Sequence, residues 1–349
     1  MDKLKSAIHI TKDYYLKDQN PWIVGFSGGK DSSLVIKILL TAIQEISPQN
    51  RKPIKIIYCD TGVEIPILRQ YIKGTLSAVQ SEGKELGIEI ESLAITPKTE
   101  DLFFVKVIGR GYPPPTNKFR WCTDKLRIDP IQIAIKNLIG AASALVILGT
   151  RYEESNARNR ILDKYSTPDT HIFNQSGHSK TRLFCPIVNF NTDEVWEGLI
   201  ALSSIKSIDI NKLSGIYKKI SGECPIIRLP DLNPCSKGRF GCWTCTVVRQ
   251  DKATRNLIGN GYISLQPLYD FRAWLLQIRD DTKYRCTVRR NGTQGLGPFR
   301  LSARKIILDK LLLAQKESGH DLISEAELLK INGLWNEDSY SKKYRENYL

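Results

Sequence analysis

No stretch of these 349 residues reaches the roughly 18 consecutive apolar residues that a membrane-spanning helix needs. The longest approach, LIGAASALVILG at 138–149, reads as a helix end running into a buried strand. The opening MDKLKSAIHITKDYY lacks the apolar centre of a secretory signal, so a cytoplasmic location is expected. Internal repeats and low-complexity tracts are also absent. Acids are in deficit, 37 against 51 Lys and Arg, for a formal net charge of +14. The deficit is uneven. Between Thr282 and Leu308 there is no acid, while Lys283, Arg285, Arg289, Arg290, Arg300, Arg304 and Lys305 follow one another. That run is expected to contact a phosphate backbone.

What is present is the composition of an ordinary globular protein, 41% hydrophobic and 25% charged. Eight cysteines in such a chain favour metal or thiol chemistry over a disulfide framework. Apolar runs at 21–26, 53–62, 87–96 and 144–151 predict strands, with helices at about 31–45, 67–86 and 126–139. Alternating strands and helices predict an α/β fold around a parallel, doubly wound sheet, with ligands beyond the carboxyl ends of its strands. Segment 151–182 is polar, basic and aperiodic, and is expected to be a mobile substrate loop. The expected division is a nucleotide-binding domain over 1–200 and a helical, cysteine-containing basic part over 201–349.

Three polar strings fall at predicted strand ends: SGGKDSS, CDTG and GTRYEESNAR. In GFSGGKDSS, Gly28 and Gly29 let backbone amides approach an anion. Ser32 and Ser33 open a helix whose dipole favours phosphate, and Lys30 adds a point charge. The string is not a Walker A loop. Its glycine spacing is one residue short, and Asp31 stands where Ser or Thr is required.

S-G-G-K-D-S-S resembles the PP-loop of the ATP pyrophosphatase superfamily, whose members cleave ATP between the α and β phosphates and pass AMP to a substrate oxygen. The resemblance implies an adenine nucleotide alpha-hydrolase-like fold. It also implies ATP with Mg²⁺, and phosphate binding by Ser27, Gly28, Gly29, Lys30, Asp31, Ser32 and Ser33. Further strings are similar to the phosphoadenylylsulfate reductase branch. YCDTG brings Asp60, Thr61 and Gly62 near the nucleotide, and GTRYEESNAR supplies Gly149, Arg151, Glu154, Ser155 and Arg158. CPIVNFNTDEVWEGL at 185–199 matches a turn into a D-E-V-W helix. The resemblance assigns catalytic roles to Lys30, Asp31, Arg151, Glu154 and Arg158, the two arginines suiting oxyanions bidentately.

Two features of the reductases are missing. A single Cys122 stands where their clustered members carry a cysteine pair, and the E-C-G-L-H tail with their attacking thiol is absent. IGRGYPPP, KFRWCTDKLRIDP and GRFGCWTCTVVRQDK instead resemble the DndC-type sulfurtransferases of bacterial DNA phosphorothioation, over about 21–279. That family replaces a non-bridging oxygen of the DNA backbone with sulfur.

In CSKGRFGCWTC, the C-x-x-C pair Cys242 and Cys245 follows Cys235 by seven positions. By spacing alone, zinc, a cluster or a redox dithiol all fit. The resemblance favours a [4Fe–4S] cluster over zinc, with Cys122 as the fourth ligand and Cys224 as runner-up. Cys59, Cys185 and Cys286 are expected to be plain buried residues, although Cys59 at a strand end is also a candidate persulfide carrier.

The expected reaction is therefore adenylation of a DNA phosphate oxygen, followed by displacement of AMP by sulfur. Expected partners are DNA, a cysteine desulfurase and other phosphorothioation subunits, with no membrane. The alternatives are a small-molecule sulfate-nucleotide enzyme, a non-catalytic DNA-binding subunit with a structural metal, and a transfer-RNA thiolation enzyme.

Overall fold

The computed structural model describes residues 2–17, 19–20, 22–140, 143–152, 156–175, 178–221 and 241–340. Helix α1 (Asp2–Leu16) leads to strand β1 (Trp22–Gly25), helix α2 (Lys30–Gln44), β2 (Ile54–Cys59), α3 (Pro66–Glu85) and β3 (Ile90–Ile95). A π-turn at Val105–Gly109 precedes the single turn α4 (Trp121–Thr123). The chain then passes through a second π-turn, Asp124–Ile128, into α5 (Asp129–Ile139). Next come β4 (Ala144–Ile147), α6 (Asn156–Tyr165), β5 (Ile172–Gln175), β6 (His178–Phe184), α7 (Thr192–Ala201) and α8 (Ile210–Ser221). The last helices are α9 (Lys252–Gly259), α10 (Gln266–Ile278), α11 (Leu301–Ser318) and α12 (Glu325–Tyr340). Among the described residues no helix is long and apolar enough to cross a membrane.

Contacts divide the chain into two compact units, each discontinuous. One comprises 1–58, 67–95 and 133–240, the other 59–66, 96–132 and 241–349. The expected division used a single cut after residue 200. Contacts group the chain differently because the connections after β2 and β3 leave the sheet unit and return to it.

The first unit is built on a six-stranded sheet in the order β3-β2-β1-β4-β6-β5. β1 pairs in parallel with both β2 and β4, and β4 in parallel with β6. The fold is α/β, and the strand order reverses at β1, so the carboxyl ends of β1 and β4 share one edge of the sheet. Such a switch point is where open α/β sheets bind ligands. α2 is apolar on nearly every side, with Leu34, Ile38, Leu39, Leu40 and Ile43 fully buried, as a central helix requires. A Cβ on Gly198 of α7 would lie 3.0 Å from Leu34, so α7 packs closely on α2.

Segment 151–182 differs from the expectation of a loop. It contains α6 and the antiparallel edge pair β5–β6. These elements are polar because one lies at the sheet edge, which hides their periodicity in the sequence.

The second unit is mainly helical after residue 241, as expected. The carbonyls at the end of the first π-turn are taken by side chains. Arg304, fully buried on α11, donates to Gly109 O and to Asp338 Oδ2 (2.9 Å), and Trp335 Nε1 donates to Ile108 O (2.9 Å). Buried backbone acceptors need such partners.

α7 starts with a capping box. Asn191 Oδ1 accepts from Glu194 N–H (2.9 Å) and Glu194 Oε2 from Asn191 N–H (2.7 Å), while Lys3 Nζ lies 2.8 Å from Glu194. Partial burial raises the Glu194 pKa, but Lys3 and the Asn191 amide outweigh it and hold the carboxyl below its ordinary value of 4.5. Its charge therefore stabilises the fold above that value and ceases to do so as pH falls through the depressed one. Glu194→Gln, which keeps the acceptor, is expected to cost about 0.5 kcal/mol at pH 7. In urea unfolding against pH, the difference from wild type should vanish under acid.

Candidate functional site

β1 ends at Gly25, and the loop SGGKDSS turns the chain into α2. Gly28 adopts φ +76°, a conformation that favours glycine. Gly29 caps the helix, and a Cβ there would sit 3.2 Å from Tyr217 Oη. That hydroxyl bonds the backbone N–H of Lys30 (3.1 Å), so α8 fixes the loop from outside. Burial pushes the Tyr217 pKa up, which keeps the hydroxyl protonated. Within the loop, Ser27 N–H donates to Ser32 Oγ (3.2 Å), and Ser32 Oγ donates to Gly29 O (3.1 Å). Ser33 Oγ is buried and has no hydrogen-bond partner among the described residues. A helix start leaves its first amides without intrahelical partners and carries partial positive charge, so this turn is suited to phosphate.

Two cations converge on the same place. Asp31 Oδ2 accepts from Lys30 Nζ (2.9 Å), and Asp31 Oδ1 from Arg151 Nε (2.6 Å). Arg151, 2% exposed, also donates Nη1 to Phe190 O (2.7 Å). Gly149 makes this meeting possible. A Cβ at 149 would stand 2.7 Å from Asp31 C and 2.8 Å from Ser32 N, both backbone atoms. The structure thus gathers Ser27, Gly28, Gly29, Lys30, Asp31, Ser32, Ser33, Gly149 and Arg151 at one place. Glu154 and Ser155 lie outside the described residues. Arg158 falls in the first turn of α6, and its side chain is outside them too. Tyr217 was not anticipated, and no sequence signal marks it.

Asp60, Thr61 and Gly62 belong to the second unit, with Cys59 and Glu64. All are engaged locally. Asp60 Oδ1 accepts from Gly62 N–H (3.2 Å), and Thr61 donates to Glu64 Oε1 (2.5 Å). Cys242 is pinned to this turn by a backbone bridge to Glu64 and by the Trp243 N–H to Val63 O bond (3.0 Å). Trp243 anchors the C-x-x-C turn, buried against Phe104 and Phe271 at 5.8 Å from each. Arg272, 2% exposed, donates to the carbonyls of Cys245 (2.9 Å), Val248 and Arg249 (3.0 Å), closing the stretch that follows.

Burial raises the Cys122 pKa, and negative charge on Cys242 and Cys245 adds to the shift. Arg127 Nη2 lies 3.6 Å from Cys242 Sγ, and the Cys242 thiolate pushes the arginine's pKa up further. Burial raises the Cys242 thiol, against the pull of Arg127. Among the described residues, no group of three or more Cys, His, Asp or Glu forms a metal-holding set. The expected site of Cys122, Cys235, Cys242 and Cys245 requires Cys235, which lies outside them, as does Cys224. Cys122, Cys242 and Cys245 supply thiols, the donor type that zinc and iron–sulfur centres take, and the exposed Arg127 lies beside Cys242. Cys59 donates Sγ to Leu126 O (3.0 Å), and burial lifts its pKa to about 12, an unfavourable setting for a persulfide nucleophile. Cys185 and Cys286 are buried.

The basic run 282–308 divides in two. Arg285 and Arg304 are buried and Arg300 half-buried, their guanidinium groups spent on backbone carbonyls such as Gly297 O, Gly109 O and Arg285 O. Lys283, Arg289, Arg290 and Lys305 are exposed. Arg290 too donates to a backbone carbonyl, that of Arg110.

Gly149→Ala is expected to push residue 149 away from the start of α2, at a cost of about 1–3 kcal/mol. Calorimetry should show the lower Tm, and titration with ATP should show weakened binding. An Ala variant with wild-type Tm and affinity would contradict the close approach.

Residues 21–248 match the family described as the phosphoadenosine phosphosulfate reductase domain. An uncharacterized protein of Methanocaldococcus jannaschii is 26% identical over 262 residues, covering 74% of this chain and 48% of its own. The chain thus spans about half the length of that curated relative. Among solved structures, the U34-tRNA thiolase NcsA of Methanococcus maripaludis with its [4Fe-4S] cluster aligns at TM-score 0.37 and 17% identity, over 78% of this chain and 80% of that one. The FMN adenylyltransferase of Candida glabrata, in complex with FMN and an ATP analogue, aligns at 0.35 and 11%, over 57% and 56%. With well over half of its length matched, the chain belongs to the phosphoadenosine phosphosulfate reductase domain family.

Proposed function

We propose that the chain is an ATP-pyrophosphatase-type sulfurtransferase that places sulfur on the DNA backbone. The observation that carries the reading is the Asp31 carboxylate between Lys30 and Arg151, at the head of α2. Loop amides and the Ser33 hydroxyl would take the β and γ phosphates. Lys30 and Arg151, already desolvated, would stabilise the charge that develops as pyrophosphate leaves. Mg²⁺ would accompany ATP, with Asp31 the acid within the loop.

In the first step a non-bridging DNA phosphate oxygen attacks the α-phosphorus of ATP, and pyrophosphate departs. This converts an unreactive diester oxygen into a leaving group. A persulfide sulfur then attacks the DNA phosphorus and expels AMP. A second thiol releases the phosphorothioate by cleaving the S–S bond and becoming part of a disulfide. A cysteine desulfurase is the proposed source of the persulfide, and other phosphorothioation subunits the proposed partners. The C-x-x-C pair Cys242 and Cys245, held to the turn of Val63 and Glu64, favours sulfur chemistry over simple adenylyl transfer. With Cys122 and Cys235 they are the proposed ligands of a [4Fe–4S] cluster, or alternatively of zinc; a cluster would supply electron transfer or sulfur handling.

Lys30→Ala and Arg151→Ala should each slow pyrophosphate release by about 10²-fold or more, measured with DNA, transfer RNA and a sulfate nucleotide as separate acceptors. Turnover on the sulfate nucleotide alone would favour a small-molecule enzyme, and turnover on transfer RNA alone an RNA thiolase. Cys242→Ser, purified without oxygen, should lose bound metal by elemental analysis while still binding ATP. Full metal content in that variant would remove Cys242 from the ligand set.

A further inference from the structure

Apart from the loop and the cysteines, the second unit contains a cleft of about 360 Å³ lined by Tyr112, Pro113, Phe119, Arg289, Arg290 and Leu296. That is near the low end of the roughly 300–1,000 Å³ typical of small-ligand sites. Both of its walls are fixed. One is a hairpin held by Cys286 N–H to Pro298 O (2.9 Å), Gly297 N–H to Cys286 O (2.8 Å) and Arg289 N–H to Thr293 O (2.9 Å). Gly292, at φ +83°, makes its tip. A Cβ on Gly295 would meet the Arg289 guanidinium at 2.9 Å, so that side chain lies along the hairpin. The other wall is the segment before α4, tied by Trp121 Nε1 to Pro113 O (2.9 Å) and by Phe119 N–H to Thr116 O (3.2 Å).

The lining has a particular chemistry. The Phe119 and Tyr112 rings are near-parallel, with 19° between planes and centroids 6.5 Å apart. The Arg290 guanidinium lies 5.3 Å from the Tyr112 centroid. Phe119 is 45% exposed, an uncommon position for a phenylalanine, and sits between the exposed Lys118 and Arg120. Among the described residues no acid lines the cleft. The exposed ring of Phe119 and the half-buried ring of Tyr112, beside the exposed Arg289 and an Arg290 that also donates to Arg110 O, suit a ligand with a flat π-face and negative charge on either side. A nucleotide within a single strand has that form. A paired base does not, because its faces are covered by its neighbours in the stack.

We propose that this cleft receives one unstacked base of single-stranded DNA, with the base against Phe119 and Tyr112 and the flanking phosphates on Arg289 and Arg290. The inference rests on the reading of DNA as acceptor. It adds that the chain engages its substrate where the duplex is locally open.

The test is binding of the full chain to a single-stranded DNA oligonucleotide carrying 2-aminopurine, followed by anisotropy and by base fluorescence at several salt concentrations. The aminopurine signal should change on binding. Phe119→Ala should weaken affinity about tenfold and Phe119→Tyr should preserve it. Arg289→Ala should reduce the salt slope by about one. ATP cleavage without DNA should be unchanged in Phe119→Ala. Wild-type affinity in Phe119→Ala, or tighter binding of the duplex, of the same sequence as RNA, or of a free mononucleotide, would overturn the proposal. Binding that behaves as expected on DNA that gains no sulfur would overturn the functional reading and leave the cleft assignment standing.

Discussion

The backbone at the start of α2 fills the space that a side chain at position 149 would need. The end of β4 can lie against the SGGKDSS loop only because residue 149 is a glycine, and that contact brings Arg151, two positions on, to Asp31. One carboxylate then holds two cations at the positive end of a helix. Tyr217 locks the loop from α8, and α7, which packs on α2 through Gly198, supports the same helix. The proposed chemistry of the loop depends on this arrangement being set before any phosphate arrives, since preorganised charge costs no rearrangement during reaction.

The cysteine group follows a different principle. Its position is set by packing and by carbonyl capture rather than by the thiols. Trp243 is buried among aromatic rings, and Arg272 satisfies the carbonyls that the following turn leaves open. Arginine recurs in this role across the second unit, at Arg279, Arg285, Arg300 and Arg304. A guanidinium offers five donors, so it can close several irregular turns at once where regular secondary structure is scarce. Much of the positive charge in the acid-free run is thus committed inside the fold, and of the exposed remainder Arg289 and Arg290 line the cleft beside Phe119 and Tyr112.

The strands, the central helix and the glycine turn between them were legible in the sequence because each carries a local signature: apolar runs for β1, β2 and β4, glycines for the turn, and a G-x-R string for Gly149 and Arg151. What stayed hidden depends on partners distant in sequence. Tyr217 acts on a backbone amide 187 residues away, and nothing around it differs from an ordinary buried tyrosine. The roles of Arg285 and Arg304 were misread for the same reason, since a surface arginine and a carbonyl-capping one are identical until burial is known. β5 and β6 were missed because an edge pair keeps too few apolar residues to show a period of two. Asp60 and Thr61 carry hydrogen bonds within the turn that holds Cys242, a role that the YCDTG string does not reveal.

In the proposed reaction a DNA phosphate oxygen attacks ATP and later leaves with AMP. DNA carrying ¹⁸O at its non-bridging phosphate oxygens, incubated with the enzyme, ATP and a sulfur source, tests this directly through mass spectrometry of the AMP formed. The account predicts one ¹⁸O in AMP for each sulfur gained by the DNA. Unlabelled AMP alongside sulfur-containing DNA would contradict it.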